Sequence, residues 1–196
     1  MSKLSTGVVL TGGMRDERRF HADMNFYSLD RLATMATVFG YGSLIAGGDH
    51  PRARLTGWSR CWNVCTDNTA DGPVVYQDPA GGARPPIQVL FLTIEAGAGA
   101  VEGVLLVVPD EDLPALDARE GNYRRVTVEV DDFGPAWTYV AKPESAERAR
   151  RGIEAGTARI RRQYLDTVLA AYANHDGIPA PWPLPAPVVD LHRVRR

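Results

Sequence analysis

The period of the apolar residues changes several times along this chain, and the order of the changes limits the fold more than any other feature. Thr37–Tyr41 is a short apolar run closed by Gly42. Leu55–Val64 alternates like a strand, with Trp58 and Trp62 as packing anchors. Val89–Ile94 and Val101–Val108 read as two strands joined by Gly97-Ala98-Gly99-Ala100, which predicts an adjacent antiparallel pair. Asp110–Glu120 switches to a helical pattern, with Asp110 as its cap and Leu113 and Leu116 at i, i+3. Arg124–Val130 alternates again, and Ala136–Ala141 reads as another strand after a turn at Asp131-Asp132-Phe133-Gly134-Pro135. From 144 to 174, Ile153, Ile160, Tyr164, Leu165, Val168, Leu169 and Tyr172 recur at helical spacing, with Gly156 as the candidate break between two helices. Strands, a short helix, strands and then helices predict an α+β fold, a small mixed β-barrel with helices packed around it.

The same pass sets the expected boundaries. Residues 1–36 are polar, charged and glycine-interrupted, and read as a loosely ordered extension with a short helix near Phe26–Ala33. The domain proper is expected at 37–187, with a long loop at Asp67–Pro86 and an extended, proline-punctuated stretch at Pro179–Pro187. Residues 188–196 read as a tail. A chain of 196 residues can bury one core without staples.

Composition removes several functional classes. The net charge of −2 gives no field that would favour nucleic acid or an anionic membrane. The pairs Arg150-Arg151 and Arg161-Arg162 read as the solvated face of a helix, since no aromatic residues interleave with them. No run of about 18 apolar residues occurs, and Met1–Leu10 lacks the apolar segment of a signal peptide, so the expected location is the cytoplasm. Cys61 and Cys65 lie four apart and would share a strand face, a poor geometry for a mutual disulfide. His21, His50, His175 and His192 are scattered without ligand spacing, so neither a metal nor a cofactor is expected. The partner expected is a small molecule, bound by a monomer or homodimer.

Two segments carry chemistry. In Val38-Phe39-Gly40-Tyr41-Gly42-Ser43-Leu44 a strand ends in a turn whose glycines let backbone N–H groups approach a ligand. It is neither a P-loop, since no Gly-Lys-Ser/Thr follows, nor a Gly-x-Ser-x-Gly nucleophile elbow. In Leu116-Asp117-Ala118-Arg119-Glu120-Gly121-Asn122-Tyr123-Arg124-Arg125 a carboxylate, Glu120, stands just before a turn and a new strand. It reads either as a helix-end carboxylate paired with Arg119, Arg124 or Arg125, or as a general acid/base. The second role needs burial to lift its pKa above the usual ~4.3. An anion-binding turn plus one such carboxylate suffices to close a γ-glutamyl amide into 5-oxoproline.

Both segments resemble those of the γ-glutamylcyclotransferase superfamily, several branches of which carry a Tyr-Gly-Ser or Tyr-Gly-Thr turn after the first strand. Asp117 to Val126 is similar to the family segment holding the catalytic Glu. Trp137-Thr138-Tyr139-Val140 is similar to a later strand with a pocket Tyr. Tyr164-Leu165-Asp166 through His175-Asp176-Gly177-Ile178-Pro179 is similar to the C-terminal helix and exit loop. The matches fall in family order over roughly 37–180. The resemblance implies a cyclotransferase of glutathione or related γ-glutamyl metabolism, with Glu120 catalytic. It implies substrate contacts from Tyr41, Gly42, Ser43, Leu44, Tyr123 and Tyr139, and offers Arg84 as a candidate for a second substrate carboxylate. Arg119 directly before Glu120, the short Gly121-Asn122 connection and the Ser-Leu-Ile ending of the first turn depart from some branches, which leaves the leaving group open. A non-catalytic module that binds a small carboxylate, or an amide hydrolase in which Glu120 activates water, would use the same segments.

Overall fold

The computed structural model describes residues 35–46, 48–175, 178–180 and 183–196; the expected extension over 1–36, with its helix near Phe26–Ala33, lies almost wholly outside them. The strands are β1 (Met35–Gly40), β2 (Arg52–Asp67), β3 (Val74–Gln77), β4 (Gln88–Pro109), β5 (Tyr123–Val130), β6 (Gly134–Ala141), β7 (Ala158–Arg161), β8 (Val188–Val189) and β9 (His192–Arg195). The helices are α1 (Leu113–Arg119), α2 (Pro143–Glu154) and α3 (Arg162–Ala173). A seven-stranded mixed sheet runs β5-β6-β1-β4-β7-β8, with β2 paired to β4, and β3-β9 forms a separate ribbon. The class is α+β as expected. Its path ends at β5 and β8, which do not pair with each other among the described residues, so a closed barrel is not formed by these pairings.

The largest correction concerns Val89–Val108. The two expected strands are one strand, β4, of 22 residues, and its partner is the 16-residue β2 rather than its own other half. Gly97–Ala100 does not turn; its small residues admit β2. A Cβ on Gly99 would lie 2.8 Å from Ser59 Oγ and 3.0 Å from the Trp58 carbonyl oxygen, and one on Gly97 would lie 3.1 Å from Ser59 Oγ. The register shifts between Thr56 and Trp58, where Gly57 supplies a φ of +85°. Gly103 permits a second close crossing, because a Cβ there would meet Phe39 Cζ at 2.7 Å and the Gly40 carbonyl oxygen closer still. That contact sets the end of β1 against β4.

Other elements follow their patterns more closely. β5 and β6, the two strands expected around the 131–135 turn, pair as an antiparallel hairpin turned at Asp132 (φ +60°) and Gly134 (φ +98°). Gly156 (φ +68°) does break the helical segment, but a strand, β7, separates α2 from α3. β3 arises inside the expected loop Asp67–Pro86 by pairing with β9, so the segment read as a tail contributes β8 and β9 to the sheets. Asp110 lies in a 3-10 turn, and no side-chain capping bond is formed there. Arg150, Arg151 and Arg162 are exposed as expected, whereas Arg161 is half-buried and donates from Nε to the Leu191 carbonyl at 3.0 Å. Cys61 and Cys65 are free thiols on β2. Among the described residues, no helix is long and apolar enough to cross a membrane.

The main core is drawn from β1, β2, β4, β7 and α3. Phe39, Leu55, Leu90, Leu92, Ile94 and Ile160 are almost wholly buried, each contributing roughly 1.5–3 kcal/mol of transfer free energy. A second cluster places Leu113 and Leu116 of α1 against Val38 and Tyr139. That packing fixes the helix whose end carries Glu120.

Candidate active site

Tyr41 follows β1 directly, and the chain then tightens into a 3-10 turn over Ser43–Ile45. Ile45 N–H donates to the Gly42 carbonyl at 3.0 Å and Ala46 N–H to the Ser43 carbonyl at 3.3 Å. The first amides of such a turn have no partner within it, which makes them the groups able to meet an anion. A Cβ on Gly42 would stand 3.8 Å from both Leu92 Cδ2 and the Tyr164 hydroxyl, ordinary packing distances that place this turn beside Leu92 and Tyr164. Leu44 packs against the cluster of Val38, Leu113 and Tyr139, on the α1 side.

Glu120 terminates α1. Its N–H donates to the Leu116 carbonyl at 2.9 Å, and its carbonyl accepts from Tyr123 N–H at 2.7 Å. Lys142 holds the following loop from the other side, with Nζ donating to the Gly121 carbonyl at 2.8 Å and its N–H donating to the Asn122 carbonyl at 3.1 Å. Asn122 Nδ2 donates to Thr66 Oγ1 at 2.8 Å. The Glu120 side chain is only 14% exposed. Burial raises its carboxyl pKa above the ordinary value, and the Arg119 guanidinium, 3.3 Å away from Oε1 at Nε, opposes that rise. Of the readings open from sequence, Arg119 is the ion-pair partner observed.

Four tyrosines lie within electrostatic reach of Glu120: Tyr41, Tyr123, Tyr139 and Tyr164. Burial holds each phenol above its ordinary pKa, and the Glu120 charge adds to the effect, so all four are neutral at physiological pH. Their hydroxyls differ in what they have left to offer. Tyr41 donates to the Tyr139 carbonyl and is 4% exposed, so its phenol is a strut. Tyr139 donates to Asp117 Oδ1 at 2.8 Å, and Arg125 Nη2 stands 3.3 Å from Asp117 Oδ2 while its guanidinium lies 4.8 Å over the Trp137 ring. This chain fastens α1 to β5 and β6. Tyr123 donates to the Leu92 carbonyl at 2.9 Å. Tyr164 accepts from Leu92 N–H at 3.2 Å, and its hydroxyl is also hydrogen-bonded with that of Tyr123.

The structure therefore brings Tyr41, Gly42, Glu120, Tyr123 and Tyr139 around one region, with Ser43 and Leu44 in the adjoining turn. Tyr41 and Tyr139 are positioned to hold the frame through their hydroxyls rather than to offer them. Arg84 does not join the region. Its guanidinium donates to the carbonyls of Asn68 and Ala70, and it stands 3.6 Å from Asp71 in the loop before β3. Tyr164 was not selected as a site residue from sequence, because its helical spacing with Leu165 and Val168 marks it as core. Tyr172, on the same helix, donates to the Tyr41 carbonyl at 2.5 Å and so ties α3 to the turn.

Residues 38–157 match the family model described as gamma-glutamyl cyclotransferase, AIG2-like, a span holding the turn, Glu120, Tyr123 and Tyr139. Among solved structures, one described as a gamma-glutamyl cyclotransferase is 19% identical, with 74% of this chain and 82% of that one covered at a TM-score of 0.47. A structure of an uncharacterized human protein gives 18%, 74%, 82% and 0.47. A yeast gamma-glutamyl cyclotransferase specific to glutathione gives 15% identity, 73% and 89% coverage and a TM-score of 0.46. No curated protein sequence matches the chain. With the family model matching more than half of its length, the chain belongs to the gamma-glutamyl cyclotransferase, AIG2-like family.

Proposed function

We propose that the protein releases 5-oxoproline from a γ-glutamyl amide by intramolecular attack, with Glu120 as its general acid/base. The observation that carries this reading is the Glu120 carboxylate, 14% exposed and raised in pKa by burial, coupled to four neutral phenols of which Tyr41 opens the turn after β1. The substrate supplies both nucleophile and electrophile, so the protein has to fold it rather than bring two molecules together, a term worth about 7–11 kcal/mol in favourable cases. The turn at 41–44 grips the α-carboxylate through N–H groups.

In this scheme Glu120 takes a proton from the α-ammonium. The freed amine attacks the γ-carbonyl carbon, forming the ring C–N bond, and the tetrahedral centre collapses with cleavage of the bond to the leaving nitrogen. Glu120 returns its proton to that nitrogen. The second proton that the α-ammonium loses in becoming a lactam N–H reaches the departing amine through solvent, so the ledger closes on 5-oxoproline and an ammonium ion. The raised pKa suits a group that must both accept and donate near neutrality.

Product identity tests the proposal. Incubation with glutathione, γ-glutamyl dipeptides, γ-glutamyl-lysine and a γ-glutamyl alkylamine, followed by mass spectrometry, is expected to give 5-oxoproline from at least one of them. Free glutamate as the product would make the protein a hydrolase. Binding without turnover of any member would make it a carboxylate-binding module.

A further inference from the structure

We infer that the cleft between α2 and the ends of β2 and β4 is a binding site for a small free α-amino acid, its carboxylate held by Arg148 and Arg151 and its ammonium by Asp67. The cleft uses none of the residues of the candidate active site, and the inference stands apart from the function proposed above.

The cleft has a volume of about 290 Å³. α2 lines it with Arg148, Arg151 and Gly152, which at i, i+3 and i+4 share one face of the helix. Across from them stand Asp67 at the end of β2, Gln88 at the start of β4 and Thr157 just before β7. Gly152 lets the helix seat on the strand, since a Cβ there would lie 2.9 Å from Gln88 Cβ and 3.1 Å from its Cγ. Thr157 closes this wall: its N–H donates to the Gly152 carbonyl at 2.9 Å and its hydroxyl to Gln88 Oε1.

The cleft carries charges of both signs that are not joined. Among the described residues, no carboxylate lies within ion-pair distance of Arg148, although Asp67 lines the same cleft. Each is anchored elsewhere. Asp67 Oδ1 accepts from Thr69 N–H at 2.8 Å and from its hydroxyl at 2.7 Å, and the Gln88 side chain bonds the same carboxylate. A carboxylate has about four acceptor sites, so one is left for a further donor. Arg148 is held by Cys65, whose carbonyl lies 3.5 Å from Nη2, and its Nε makes no hydrogen bond. Arg151 stands 3.6 Å from Glu147 Oε1, but Arg150 already grips Glu147 at 2.7 Å and 2.9 Å. Two guanidiniums thus face the cleft without a carboxylate of their own.

This arrangement selects by charge. Asp67 repels a phosphate dianion, and the two arginines repel a simple amine. An α-amino acid carries its carboxylate and its ammonium on one carbon, so it can sit between the two signs and satisfy both. The guanidinium fork matches a carboxylate. The volume is at the small end for ligand pockets, which fits an amino acid and not a nucleotide.

Titration of the isotope-labelled full chain, followed by the backbone amide resonances of Gln88, Gly152 and Thr157, tests the site. The ligands are L-alanine, propionate, which lacks the ammonium, and ethylamine, which lacks the carboxylate. L-alanine is expected to shift these amides saturably with a dissociation constant of about 1 mM, because the arginines are partly exposed and screened. Propionate and ethylamine should bind about 10-fold more weakly. Arg151→Gln, at an exposed position, should weaken L-alanine several-fold, and Asp67→Asn should bring L-alanine and propionate to about equal affinity. Absence of saturable shifts at these amides overturns the inference, as do shifts confined to Gly42 and Glu120. Equal binding of propionate and L-alanine by the wild type, or unchanged affinity in Arg151→Gln, overturns it too.

Discussion

Gly103→Ala couples the fold to the site, and its effect can be worked from contacts. A Cβ at Gly103 would lie 2.7 Å from Phe39 Cζ and closer still to the Gly40 carbonyl oxygen. Ordinary carbon contacts begin near 3.5 Å, so β1 or β4 must give by about 1 Å. Neither neighbour is the free end of a flexible side chain: one is backbone, and Phe39 is wholly buried. Overpacking of this kind costs about 1–3 kcal/mol. For a chain of this size that lowers the melting temperature by roughly 2–4 °C per kcal/mol. The displaced atom is one residue before Tyr41, so the glycine turn moves with it. Misplacement of a binding group by about 1 Å can remove on the order of 100-fold in rate. Thermal melts and kcat/KM for 5-oxoproline release measure both effects. Gly99→Ala is the control, because its Cβ would crowd Ser59 and Trp58 on the ribbon of β2 and β4. It is expected to lose stability but to keep most of the activity. A Gly103→Ala protein with wild-type melting and turnover would refute the reasoning.

Three further outcomes are expected. Because burial raises the folded-state pKa of Glu120, the native state loses stability as pH rises from the unfolded value through the folded one. Urea melts should therefore find Glu120→Gln more stable than wild type at pH 8, with the difference vanishing below about pH 4, where both side chains are neutral; a less stable variant at pH 8 would contradict the burial argument. Tyr172→Phe removes the donor to the buried Tyr41 carbonyl and should cost about 1–2 kcal/mol in urea melts, together with a loss of activity from the loosened turn. Burial pushes the Cys61 and Cys65 thiols up to about 12 and about 11, so neither should react with a thiol reagent at pH 8 until the protein unfolds.

What could be read from the chain follows the range of the interactions involved. The β5–β6 hairpin is local, and its turn residues announce it. The turn after β1 and the carboxylate after α1 are short segments with their own residue signatures. Gly97–Ala100 misleads because glycine marks both a turn and a close approach, and only the partner strand decides between them. β3 and β7 are four residues each and exist by pairing with β9, β4 and β8, which lie far along the chain. Tyr164 looks like core by its period and is half core in fact, since its ring packs edge-on to Phe91 with centroids 4.9 Å apart while its hydroxyl reaches Leu92. A helix residue whose hydroxyl bonds a neighbouring strand keeps the helix period, so the period does not separate it from the core.

The most direct test of the central claim is turnover of a γ-glutamyl-α-amino acid by wild type and Glu120→Gln, followed as 5-oxoproline by mass spectrometry with folding checked by circular dichroism. A folded variant slowed by about 100-fold or more is the predicted result, the range that loss of a general acid/base gives. Equal turnover by the two proteins would contradict it and remove Glu120 from the chemistry.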